Sequence, residues 1–370
     1  EIANGDWSSD VCSSDLDLIM HKKIIALASA LSLSVCSLVG CSSTDKEDSK
    51  KLDKITIAEV THSVFYAPQY AAITQGFFEE EGIEVDLIDA QGADKTMTAL
   101  ISGEADIGLM GPEASIYVYK QGSDDYAINF AQLTKRDGSF IVSREKNDNF
   151  SYEDMKGKEI LGGRAGGVPL MTLEYLLKNE GLEIGKGSDK VNIRTDVQFG
   201  VMAGAFAAGE GDYTTAFEPT ATQLEKGGSG YVVASVGKDA GEIPFTCYSA
   251  TKSYMDKNSD LIQRFTNALY KGQQWVQNAS DEEIAKSMQP FFEDTSFDDL
   301  KIVAHKYKEI DAWSSDPLLK EDSLNRLMDV MIEGGELDEK IPYDSVVTTT
   351  YAQKARSEER RVGKECRSRW

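Results

Sequence analysis

The stretch that decides the fold is Ser102–Ser115, SGEADIGLMGPEAS, because Ala208–Ala221, AGEGDYTTAFEPTA, repeats its plan. Each opens on a turn built of glycine and acidic residues. Each then passes into a short strand, Ile107–Met110 in the first case and Gly211–Phe217 in the second. Each ends at a proline, Pro112 or Pro219, at a position favoured for starting a helix. A unit that recurs once at this separation predicts two equivalent α/β lobes facing each other, since solenoid repeats are shorter.

The flanking sequence fits the same plan. Ile55–Val60 is rich in β-branched residues and reads as a strand. Pro68–Glu81 carries a helical apolar pattern ending at Gly82, and Ile83–Ile88 alternates as a strand. Asp94–Ser102 reads as a helix with Asp94 as its N-cap, and Ile128–Leu133 as a further strand. Alternating strands and helices predict a parallel sheet with helices on its faces. A second series follows: strand Lys158–Leu161, helix Pro169–Asn179, strand Val191–Arg194 and helix Met202–Ala208. Beyond strand-like Phe245–Ala250 the pattern turns helical, over Ser259–Asn278, Asp281–Gln289, Ser296–Trp313 and Lys320–Gly334.

The N-terminal region carries an export signal. Met20-His21-Lys22-Lys23 is basic, Ile24–Val39 is apolar or small, and Leu38-Val39-Gly40-Cys41 ends it. The apolar run is shorter than the ~20 residues of a spanning helix. This pattern resembles a bacterial lipoprotein signal over 20–40, with Cys41 acylated and 41–52 a polar tether. More than one acyl chain is needed for a firm hold on a membrane. Residues 1–19 and 353–370 resemble translated sequencing-adapter read-through and are set aside from the fold. The rest, Cys41 to about Ala352, has the length of two average domains.

Composition narrows the function. The chain carries 62 acidic against 39 basic residues, a formal charge of −23. Nucleic-acid binding needs a basic footprint and is not expected. Of 5 cysteines, only Cys41 and Cys247 lie between the signal and the tail, and acylation of Cys41 leaves no internal disulfide. With 3 histidines and one usable cysteine, no metal constellation is expected.

Several segments together carry a family resemblance. They are Tyr66–Ala72 running on to Gly76–Gly82, then Gly103–Gly108, Met155–Lys158 and Phe217-Glu218-Pro219. The chain resembles the type II periplasmic solute-binding proteins of ABC importers, in the branch that binds nitrate, sulfonates, taurine or thiamine-pyrimidine precursors. The resemblance implies a two-lobed α/β fold, each lobe a mainly parallel sheet flanked by helices, joined by two crossover strands. Lobe one is expected over 53–143 and 246–352, and lobe two over 144–245. It further implies a monomer without cofactor, held by its lipid anchor on the extracytoplasmic side of the cell membrane. Its partners are then a small-molecule solute and an ABC permease with its cytoplasmic ATPase.

In open α/β sheets ligands bind beyond the carboxyl ends of the strands. Helix N-termini there offer free N–H groups. That rule selects loops containing His62, Tyr66, Asp94, Glu113, Arg136, Arg164, Gly166, Gly167, Phe217 and Glu218 as candidate ligand-binding residues. Each has a plainer role open to it. The aromatics fit a core, the arginines fit surface pairs, and Gly166-Gly167 fits a tight turn.

The carboxylates bear on ligand class. An anion site wants Arg, Lys and N–H donors with carboxylates kept away, yet Glu113 and Glu218 compete with Arg136 and Arg164. A carboxylate accepts from an exocyclic amine, and Phe65, Tyr66 and Phe217 could sandwich a flat ring. This favours a thiamine-pyrimidine precursor or similar heterocycle, with an alkanesulfonate, taurine or nitrate as the alternative. A remote alternative is an enzyme resembling thiamine pyrimidine synthase, which shares the fold. Ala114 stands where that enzyme has its reactive histidine, and Ala240–Pro244 has no cysteine where the enzyme is cysteine-rich.

Overall fold

Ile55 and Ile57 alternate along Asp53–Glu59 (β1) and are wholly buried, which sets the strand inside the first lobe. The structure is a computed structural model and describes residues 51–368, with the side chains of residues 360 and 362–368 outside the description. Cys41, the signal at 20–40, most of the tether and residues 1–19 lie outside the described residues.

After β1 the chain forms α1 (Ala67–Thr74), α2 (Phe77–Glu80), β2 (Ile83–Asp89), α3 (Ala93–Ser102), β3 (Ile107–Met110), α4 (Glu113–Lys120) and β4 (Ala127–Thr134). It crosses at once into β5 (Ser139–Ser143), β6 (Glu159–Leu161), α5 (Val168–Asn179), β7 (Glu183–Ile184), β8 (Lys190–Arg194) and α6 (Phe199–Ala207). β9 (Tyr213–Phe217), α7 (Thr220–Lys226), β10 (Tyr231–Ser235) and α8 (Val236–Ala240) complete the second lobe. The return strand β11 (Thr246–Thr251) leads to α9 (Lys252–Lys257), α10 (Ser259–Asn278), α11 (Asp281–Met288), α12 (Phe297–Glu309), α13 (Glu321–Glu333) and α14 (Thr350–Ser368).

The first sheet has the order β2-β1-β3-β11-β4. β1 runs parallel to both neighbours, with Ile57 level with Leu87 and Ile107. β11 enters between β3 and β4 and is antiparallel to each. The second sheet has the order β10-β5-β9-β6-β8-β7, parallel from β9 to β7, with β5 antiparallel to both β9 and β10. The expected architecture of two helix-flanked, mainly parallel sheets is therefore present, with β5 and β11 as the strands that run against the rest.

Some expectations need correcting. β5 lies in the second sheet, so the first crossover falls at 135–138, ahead of the expected change of lobe after 143. The helix expected over 68–81 breaks at Gly76, whose φ of 77° is left-handed and costs glycine little. Gly92 occupies the N-cap of α3, which moves Asp94 into the first turn. Pro112 and Pro219 are the N-cap residues of α4 and α7, so each helix starts one residue later than expected. α14 runs through residue 353, where an extraneous tail was expected to begin. Ala355 is buried, Arg356 Nε lies 3.5 Å from Asp316, and Asn267 donates to Glu358 at 3.1 Å.

The main core is continuous between the lobes, taking in Phe65, Tyr307 and Phe245 of the first with Phe140, Ala216 and Leu224 of the second. A second core, including Ile160, Leu173, Leu177 and Val191, fills the far side of lobe two. Among the described residues no helix is long and apolar enough to cross a membrane.

Candidate functional site

The carboxyl ends of the strands in the two sheets carry loops that touch across a cleft. At the mouth, Arg164 Nη1, after β6, bonds Asp94 Oδ1, on α3, at 3.1 Å. Both side chains are about two-thirds exposed, at 66% and 62%. The bonded guanidinium holds the Asp94 carboxyl below its ordinary range. Tyr117, on α4, donates its hydroxyl to the Gly166 carbonyl at 3.2 Å. Lys178 of α5 donates to the Glu333 carbonyl at 2.9 Å. Gly167 caps α5, and Gly166 takes a φ of 77° beside the Glu336 carboxylate.

Deeper in, aromatic rings line the joint. Phe65 meets Phe217 at 5.8 Å, Phe245 at 5.8 Å and Tyr307 at 4.8 Å between ring centres. Trp313 Nε1 donates to the Phe65 carbonyl at 2.8 Å, which fixes that turn. Tyr66 is buried beside Phe65, and burial raises its hydroxyl pKa.

Two candidates are committed to the protein itself. Glu59 ends β1 fully buried. Its Oε1 accepts from Gln69 Nε2 at 2.6 Å and Tyr70 Oη at 2.9 Å, while Oε2 faces His62 Nδ1 at 2.7 Å. His62 Nε2 faces the Phe291 carbonyl at 3.0 Å, and its ring stacks on Phe292 at 4.6 Å. Acceptors at both ring nitrogens suit an imidazolium. The His62 pKa is raised, first by the bond to Glu59. Glu218 is buried with both oxygens engaged. Lys306 Nζ donates to Oε1 at 2.7 Å, and the Thr222 N–H donates to Oε2 at 3.1 Å. Its own N–H donates to Tyr307 Oη at 3.1 Å. Glu218 thus ties α7 to α12.

Arg136 and Asp137 sit in the first crossover, away from Arg164. Arg136 Nη1 donates to the Gly237 carbonyl at 3.3 Å, and Nη2 lies 4.0 Å from Glu242. Asp137 Oδ1 accepts the Ser139 N–H at 2.6 Å, and Oδ2 is buried without a partner. Burial pushes its pKa up to about 7.

Glu113 shares with Asp137 a buried carboxylate oxygen without a partner, but it sits at a strand end and not in the crossover. It is the first residue of α4, just past β3, and is 5% exposed. Its Oε2 is buried and has no donor. Burial pushes its pKa up to about 7, against the opposing effect of the Glu113 and Ala114 N–H groups. Gly111 makes room for it, since a Cβ there would fall 1.9 Å from Oε2.

The loop after β8 escaped the sequence reading, although the same strand-end rule covers it. Phe199 there is 52% exposed and its ring centre lies 5.8 Å from that of Phe217. A depression of about 610 Å³ beside it is lined by Arg194, Val197, Gln198, Val201 and Glu210. Tyr117 was also missed, although its place one helical turn beyond Glu113 was readable. Among the described residues no group of three or more His, Cys, Asp or Glu is placed to hold a metal.

The family model described as NMT1/THI5 like matches residues 64–283. The chain belongs to the NMT1/THI5-like family. It is 45% identical over 307 residues to YtlA of Bacillus subtilis (strain 168), a protein that carries a provisional binding-protein name. The match covers 83% of this chain and 91% of YtlA. A second resemblance is partial. The 4-amino-5-hydroxymethyl-2-methylpyrimidine phosphate synthase of Schizosaccharomyces pombe is 28% identical over 119 residues, 32% of this chain and 33% of that protein. Among solved structures, the alkanesulfonate-binding protein SsuA from Xanthomonas axonopodis pv. citri, bound to MOPS, superposes with a TM-score of 0.63. The identity is 15%, over 80% of this chain and 98% of that one. The NMT1/THI5-like chain therefore has the solute-binding-protein fold of the ABC-importer type, in keeping with the resemblance to the nitrate, sulfonate and taurine branch.

Proposed function

We propose that this protein is the non-catalytic, extracytoplasmic solute-binding component of an ABC importer. A small solute is captured between the lobes and handed to a membrane permease driven by its cytoplasmic ATPase. The observation that carries this reading is the facing of strand-end loops across a two-strand joint, with the Asp94–Arg164 and Tyr117–Gly166 contacts bridging them. Such a joint suits hinge closure, and closure gains free energy from contacts made only when the lobes meet. Cys41 would hold the protein to the membrane surface.

For the solute, a thiamine-pyrimidine precursor or similar flat heterocycle is favoured over an alkanesulfonate, taurine or nitrate. Phe199 and Phe217 supply aromatic surface, with Phe65 and Tyr66 buried in the core beside Phe217, and Arg164 is already paired. A thermal-shift screen of purified protein with pyrimidines, sulfonates, taurine and nitrate tests the reading. A solute at 100-fold over its Kd adds about 2.7 kcal/mol of stability. Tyr66→Ala should weaken the best ligand at least tenfold. Unchanged affinity in Tyr66→Ala and Arg164→Ala alike would place the site elsewhere.

A further inference from the structure

We propose that Glu113 selects the solute, and that it selects one bearing a protonated or strongly polarised N–H, such as an amine, an amidine or an aminopyrimidine. This inference rests on the reading that a solute enters the interlobe cleft. It adds what that solute must carry at one named atom.

The argument starts from an unmatched acceptor. Native proteins pair nearly all buried polar atoms, so each exception asks for an explanation. Glu113 Oε2 is such an exception. The N–H groups of Glu113 and Ala114, at the start of α4, favour the ionised carboxylate. Burial, the larger effect, opposes them and favours the neutral acid; once ionised, Oε2 is an anionic acceptor without a donor. The placement points to the cleft. Tyr117 lies one turn along the same helix face and reaches the Gly166 carbonyl of lobe two. The side chain folds over Gly111, directly beyond the end of β3, where ligands of open α/β sheets bind.

The surroundings select the sign of charge. Among the described residues no titratable group shifts Glu113, whose own charge acts on Tyr117 on α4 and Cys247 on β11. Burial raises both, so each is neutral near pH 7. Arg164 is engaged by Asp94, and Arg136 by Gly237 and Glu242 in the crossover. An anionic solute would meet a buried carboxylate, whereas a cationic N–H would complete it.

A pH dependence follows. With the free carboxyl titrating near 7, a cationic solute must displace a proton from Glu113 at lower pH. Affinity should fall about tenfold per pH unit below 7 and level off above it. An anionic solute would show the reverse.

The test uses wild-type protein and Glu113→Gln. The Gln amide oxygen keeps the helix N–H groups satisfied and turns an NH₂ toward the solute. The probes are 4-amino-5-hydroxymethyl-2-methylpyrimidine, 4-aminopyrimidine and benzamidine, set against ethanesulfonate, taurine and nitrate. Titration calorimetry from pH 5.5 to 8.5 should show binding within the first set, release of up to one proton per solute below pH 7, and at least tenfold weaker binding by Glu113→Gln. Sulfonate or nitrate binding that Glu113→Gln leaves unchanged would overturn the proposal while leaving the solute-binding reading intact. Binding by neither set, in either protein, would overturn both. A solute-free measurement stands beside it. Glu113→Gln should melt no lower than wild type, since it removes an unpartnered buried carboxylate. A clear drop in melting temperature would mean that Oε2 has a partner within the protein, and would overturn the proposal.

Discussion

His62 and Glu218 show how a strand-end residue is claimed by its own protein. His62 sits between the Glu59 carboxylate and the Phe291 carbonyl, and its pKa is raised. A raised histidine contributes stability in full below its unfolded value near 6.5, and that contribution is lost as pH rises through the folded value. Melting temperature should therefore fall between pH 6 and 9 by more in wild type than in His62→Gln, as read by differential scanning calorimetry. Parallel curves would remove the imidazolium from the account. Glu218 depends on Lys306, 88 residues further along the chain. Lys306→Met would strand a buried carboxylate and should cost about 3 kcal/mol in urea denaturation. Glu218→Ala should likewise cost stability, so its effect on binding has to be read against folding. The strand-end rule found both residues in the sequence. It could not find Lys306 as the partner of Glu218, because ion pairing across such a separation is decided by tertiary packing, and Glu59, only three residues before His62, was passed over as a strand residue.

At the scale of elements, the long helices were the most legible. α10 begins and ends where its period of 3.6 does, because one face is buried along its whole length. β5 and β10 were not legible. Ser139–Ser143 and Tyr231–Ser235 are short runs that pair antiparallel, against the parallel logic of the units around them. Their strand character comes from the partner edge more than from their own pattern. α14 is a further instance, since its sequence from 353 on was set aside and Ala355 in it is buried. Ala355→Asp should therefore lower stability by ~2 kcal/mol or more in thermal denaturation. A melting curve like that of wild type would show that this helix is not anchored to the fold.

For the whole molecule, the repeated turn, strand and proline units implied two lobes, and the two sheets are there. The cleft was legible as a set of loops. Which of its side chains remain free was not, because Asp94 with Arg164, Glu218 with Lys306 and His62 with Glu59 neutralise one another in pairs. Glu113 emerges only by subtraction, as the strand-end candidate whose buried carboxylate oxygen is left without a donor, a state that Asp137 shares in the crossover. In the present structure the lobes are bridged. A binding protein must also open, and the Asp94–Arg164 pair is exposed enough to be a weak latch. Spin labels at the exposed positions Lys95→Cys in lobe one and Lys186→Cys in lobe two, with other accessible cysteines replaced, would report the interlobe distance directly. The account predicts two distance populations without solute, collapsing to the shorter one when a ligand from the pyrimidine and amidine set is added. One fixed distance, unmoved by any cationic or anionic solute, would contradict it.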